Sequence, residues 1–169
     1  MMAPVADLFA QYHGSLVRML YRRTGDRDRA EEIAQEVFAR AVAAPPRNPR
    51  PWLFAVALNL VREEARTTAR QDRRLVLYRA EQPDRTPPPD EELDRSERIA
   101  RVRAALDLLT ARDREALLLK AEGFNYDEIA ATLGLARGAI GTTLARARRR
   151  LVEAYRAGGG QKEKQHVAS

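Results

Sequence analysis

Apolar residues in this chain recur at helical spacing and almost nowhere at strand spacing, which restricts the fold to packed helices. Ala30, Ile33, Ala34, Val37, Phe38 and Ala41 form a regular i, i+3, i+4, i+7 series, the mark of a helix that buries one face. Leu8, Tyr12, Leu16, Met19 and Leu20 predict an earlier helix near 5–23, and Leu53, Val56, Ala57, Leu60 and Val61 a later one. Val/Ile/Thr alternation is missing, while Ala, Leu, Arg and Glu dominate. Thr24-Gly25-Asp26 breaks the first helix, and Asp26 or Asp28 can cap the second. Asn48 can cap the third, with Pro49 at its first position, where the missing N–H is harmless.

Proline then divides the chain. Pro83, Pro87, Pro88 and Pro89 oppose helix over a stretch read as a linker from 76 to 96. Its end, Asp90 to Glu97, holds five acids and one base. Such a stretch suits a solvated linker or the positive end of a helix. Ile99, Val102, Leu106 and Leu109 open a second helical block. Thr110 with Asp113 has capping-box spacing, and Gly123 can close the helix they begin. The expectation is all-α: two small helical domains, at 1–75 and 97–156, joined by a flexible Pro-rich acidic linker. A Gly-rich tail at 157–169 is expected to be disordered.

Composition removes several chemistries. The chain of 169 residues has no Cys, which excludes disulfides, thiolate zinc sites and Cys nucleophiles. Its two His, His13 and His166, lie far apart. No catalytic residue, metal or cofactor is expected. No stretch approaches the roughly 18 apolar residues of a membrane span, and the N-terminus lacks a secretory pattern. A cytoplasmic protein with no direct membrane insertion is expected. The net charge is +6, and all but three of the 30 basic residues are Arg, whose planar fork suits phosphate.

That charge is uneven. Residues 137–156 carry six Arg and one Glu, directly after a helix-turn-helix pattern. Asn125 and Glu128 have N-cap and N3 spacing, and Ile129, Ala130 and Leu133 give a short buried face. Gly134 stands where a left-handed turn belongs, and Leu135 can plug the angle. Ile140, Leu144, Ala147 and Leu151 stripe the second helix. At 100° per residue, Thr142, Ala145, Arg146 and Arg149 project away from that stripe. A major groove admits one such helix, with Arg at its flanks reaching phosphates.

Three blocks in order resemble the extracytoplasmic-function (ECF) group of bacterial sigma factors, the promoter-recognition subunits of RNA polymerase. Ala30 to Ala41, reading AEEIAQEVFARA, resembles the polymerase-docking helix. Pro51 to Leu60, reading PWLFAVALNL, resembles the −10-element helix, and Leu109 to Leu151 resembles the −35-binding domain. The resemblance implies a sigma region 2 bundle at 1–75 and a region 4 helix-turn-helix at 97–156. It implies docking on the clamp coiled coil of the polymerase through Gln35, Glu36 and Arg40, and contact with the flap. Asn59, Arg62 and Arg66 are implied contacts for the −10 element, and Arg137, Thr142, Arg146 and Arg149 for the −35 element. An anti-sigma factor is an implied partner, beside RNA polymerase core and promoter DNA.

The chain departs from the family at Ala136, Ala139, Gly141 and Thr143, where hydroxyl or basic residues are common. At these positions the resemblance fixes no base contact. Two other functions are weighed: a stand-alone helix-turn-helix regulator, expected to be dimeric, and a helical enzyme using carboxylates, for which paired catalytic residues are missing.

Overall fold

The computed structural model describes residues 4–72 and 90–167, all organised as seven helices and their connections. The first three are α1 (Val5–Thr24), α2 (Arg27–Ala43) and α3 (Pro49–Asp72). Four more follow: α4 (Asp90–Asp107), α5 (Ala111–Ala121), α6 (Tyr126–Leu133) and α7 (Arg137–Val167). No strand occurs among the described residues.

The ends fall where the sequence places stop signals. Gly25 takes φ 74° and returns its N–H to the Tyr21 carbonyl, closing α1. Asp26 then caps α2 by accepting from the Arg29 N–H. Thr110 caps α5 in the same way through Asp113 N–H. Asn125 and Glu128 complete a reciprocal capping box on α6, and Gly134 ends that helix at φ 66°. The left-handed geometry at Gly134 sets the corner between α6 and α7 without the Cβ clash another residue would meet.

Two boundaries differ from expectation. Residues 90–96, assigned to the linker, form the first turns of α4. Their acids sit at the positive end of the helix dipole, which stabilises helix there. Residues 157–167, expected to be disordered, continue α7. Extending an existing helix adds one hydrogen bond per residue fixed, without a new nucleus. Arg101 of α4 also clamps the outgoing helix, donating to the Tyr155 carbonyl at 2.7 and 3.0 Å with its guanidinium 3.9 Å from that ring. The remaining linker positions, 73–89, and the tail end, 168–169, lie outside the described residues.

α1, α2 and α3 pack on one another, and α5, α6 and α7 do likewise. The two groups share one core. Leu16, Met19, Val37, Leu53 and Leu58 of the first are continuous with Leu119, Phe124, Ile129, Ile140 and Leu144 of the second. α3 lies against α6. At that seam the Phe54 and Phe124 rings meet edge-to-face at 4.8 Å.

Candidate nucleic-acid and polymerase interfaces

The buried stripe of α2 fixes which residues it offers to a partner. Ile33, Val37 and Phe38 are in the core, so Gln35, Glu36 and Arg40 point outward and are exposed. Arg40 Nε donates to Glu36 Oε1 at 3.0 Å, one turn back. Exposed pairs of this kind contribute little to stability, so both groups can exchange the contact for a partner's. Next to them Phe9 stacks on His13 with centroids 4.3 Å apart and meets Phe38 at 5.0 Å. Phe9 is 44% exposed. Phe9 sits beside the α1 stripe, and only packing against α2 gives it the Phe38 contact, so no spacing within α1 marks it.

On α3, Leu53, Phe54, Ala57, Leu58 and Val61 are buried, which turns Asn59 and Arg66 to solvent. Arg62 reaches both ways. Its Nη1 donates to Asn59 Oδ1 at 3.1 Å, and its Nε donates to Glu115 Oε1 on α5 at 2.7 Å. Glu115 is almost inaccessible, with 3% of its side chain exposed. The hydrogen bond to Glu115 raises the Arg62 guanidinium above its ordinary value, against the desolvation of its partly buried site. Asn59 and Arg62 therefore stand together with Arg66 one turn on, and Arg62 bridges to the other half of the chain.

Further charges cross the same boundary. Arg18 Nη2 and Arg22 Nη1 both donate to the buried Glu122 carboxylate at 2.9 Å. Arg50 donates to Glu128 at 2.6 Å and to the Glu122 carbonyl at 2.8 Å, with its guanidinium 4.1 Å from the Phe124 ring centroid. None of these partners is close in sequence, so no local pattern announced them.

The outer side of α7 is set by its own stripe. Ile140, Leu144 and Ala147 are fully buried, and Thr142, Ala145, Arg148 and Arg149 are exposed. Arg137 pairs with Asp127 at 2.5 Å, both ends well exposed. Thr143 is buried and its hydroxyl donates to the Ala139 carbonyl at 2.7 Å. Arg146 is folded back: its Nη2 donates to Asp113 Oδ1 at 2.7 Å and its Nε to Oδ2 at 3.3 Å. Arg150 donates to the same carboxylate at 3.2 Å. Asp113 is fully buried. Arg146, assisted by Arg150 and against desolvation, holds its carboxyl below the usual range. Thr142 and Arg149 thus share the outer face, Arg137 sits on the flank toward α6 beside Asp127, and Arg146 is tied to α5.

Residues 8–71 match the family described as Sigma-70 region 2, and residues 99–151 match Sigma-70, region 4. The ECF sigma factor EcfG of Rhodopseudomonas palustris is 36% identical over 138 residues, 76% of this chain and 72% of that one. This chain belongs to the ECF sigma factors. The ECF sigma factor SigE of Mycolicibacterium smegmatis is 33% identical over 155 residues, covering 86% of this sigma factor but only 59% of that longer relative. Among solved structures, the sigma factor RpoE of Bartonella quintana, in complex with the anti-sigma factor NepR, superposes with a TM-score of 0.65. It is 27% identical, covering 89% of this chain and 96% of that one. CnrH, in complex with the cytosolic domain of CnrY, superposes at 0.67 with 27% identity, covering 90% and 88%. In this sigma factor α1 to α3 form region 2 and α4 to α7 form region 4. No helix among the described residues is long and apolar enough to cross a membrane.

Proposed function

We propose that this sigma factor works in the cytoplasm, where it brings RNA polymerase core to promoters, holds the −35 duplex with region 4, and melts and captures the −10 strand with region 2. The observation that carries this is the order of surfaces on one chain. An exposed Gln35–Glu36–Arg40 face precedes the Asn59–Arg62–Arg66 face, and a helix-turn-helix with an Arg-rich outer side follows. The region 2 match weighs against a stand-alone DNA-binding regulator. Gln35, Glu36 and Arg40 dock on the clamp coiled coil, while region 4 meets the flap. Asn59 offers both a donor and an acceptor to the edge of an unstacked base. Arg62 and Arg66 contact the adjacent phosphates. The chain itself catalyses no step and needs no metal or cofactor; nucleotide joining belongs to its partner. An anti-sigma factor restrains it, a reading supported by the RpoE–NepR neighbour.

Run-off transcription with core polymerase tests this reading. A promoter-dependent transcript is expected, and a folded chain that supports none on any template rules the reading out. Asn59→Ala is expected to reduce open-complex formation roughly tenfold, from one lost hydrogen bond to a base, with core binding unchanged by pull-down. Loss of core binding instead reassigns Asn59. Arg149→Ala is expected to lower the salt slope of −35 duplex binding by about 0.9, the value of one neutralised phosphate. Titrating affinity against salt concentration measures it.

A further inference from the structure

Region 4 also shows which kind of base pair it is built to read, an inference that rests on the promoter-binding reading above. In helix-turn-helix docking, the N-terminal half of the second helix reaches the base edges. In α7 that half is neutral on its outer side. Gly138, Thr142 and Ala145 face away from the buried stripe, and all three are exposed. The cations flanking that half, Arg137 and Arg146, are held by carboxylates. Arg146 is bound to the fully buried Asp113, and withdrawing it leaves that carboxylate to Arg150 alone. Arg137 lies on the flank toward α6, beside Asp127, placed for the backbone at the groove edge. The Thr143 hydroxyl is used within the helix.

The flank of the neutral strip is aromatic. A Cβ on Gly141 would lie 3.6 Å from Tyr126 Cε2, so the Tyr126 ring stands in van der Waals reach of that position. Tyr126 remains 39% exposed, and the Lys120 ammonium lies 5.8 Å from its ring centroid. Arg148 and Arg149, one to two turns further along α7, are exposed and suited to phosphates.

Guanine is read in the major groove by a cationic fork on O6 and N7, and thymine by an apolar group on its C5 methyl. Between the helix start and Ala145 the strip offers methyl groups and no fork, since Arg137 and Arg146 are each held by a carboxylate. We propose that Thr142 and Ala145, bordered by Tyr126, select A·T pairs in the −35 duplex by packing on thymine methyl groups. Arg148, Arg149 and Arg137 hold the phosphates and leave the sequence choice to the small residues.

The test uses full-length chain assembled with core polymerase, presented with duplexes randomised across the upstream element. Ala145→Arg and Thr142→Arg, both at exposed positions and checked for folding by thermal melting, mark the facing pairs as those whose preference moves to G·C. A shift of roughly tenfold is expected for a gained bidentate contact. In the native chain those pairs are expected to be A·T, and replacing the thymine by deoxyuridine is expected to weaken binding about fourfold, the effect of one buried methyl. Native preference for G·C at those pairs, or equal binding of deoxyuridine and thymidine, overturns the inference and leaves the promoter reading intact. Enrichment of no upstream element at all removes the promoter reading on which it rests.

Discussion

Asp113→Ala is expected to cost region 4 about 3 kcal/mol. Removing one partner of a buried ionic cluster strands the other charges, which typically costs about 3–5 kcal/mol. The lower end applies because Arg146 and Arg150 keep 39% and 48% of their side chains exposed, and water recovers part of the loss. For a chain of this size the melting temperature is expected to fall by about 6–12 °C in scanning calorimetry. The same carboxylate gives a pH dependence with a definite sign. Its folded-state pKa lies below the ordinary one. The stabilisation is therefore complete above the unfolded pKa of about 3.9, and is lost as pH falls through the folded value. Asp113→Asn, which keeps the shape and removes the charge, is expected to start lower and to lose less on acidification below about pH 4. Equal acid sensitivity in the two proteins would assign the acid transition to other carboxylates.

Phe124→Ala is expected to cost about 3–5 kcal/mol, the range for removing a large buried aromatic. Phe124 has no exposed surface, meets Phe54 of the other half edge-to-face, and carries the Arg50 guanidinium over its face. Its loss leaves a cavity at the seam and takes away the platform of Arg50. Urea denaturation is expected to show a lower midpoint, and the two halves to unfold in separate steps, since this seam joins their cores. Phe124→Leu, which keeps most of the volume, is expected to cost under half as much. A single unshifted transition in Phe124→Ala would show that the seam contributes nothing to cooperativity.

Much of the fold was legible because its signals are local. The Asn125–Glu128 box, the Asp26 and Thr110 caps and the glycines at 25, 123 and 134 act within four residues of where they stand. The α2 stripe predicts that Gln35 and Glu36 face outward, whereas Asn59 enters through the family resemblance, and on α3 the buried positions include Phe54 and Leu58 while Val56 and Leu60 are half-buried. Arg62 and Arg146 show where this ends. The wheel gives the direction in which a helical arginine leaves the backbone, but its long stem can fold back to a carboxylate brought near by tertiary packing. Glu115 lies 53 residues from Arg62, and Asp113 lies 33 from Arg146. Residues 90–96 lie at the same limit. An acidic run reads alike as solvated linker and as helix start, and only the hydrogen-bonded turn distinguishes them.

The Arg62–Glu115 pair bears on the −10 contact proposed for Arg62. In that contact, a phosphate and the Glu115 carboxylate compete for one guanidinium, so binding there would leave a nearly inaccessible carboxylate to be rehydrated. The apparent dissociation constant of the intact chain is the intrinsic one divided by the fraction of molecules in which Arg62 is released. On that proposal, whatever separates α3 from α5 raises −10 affinity without touching a base.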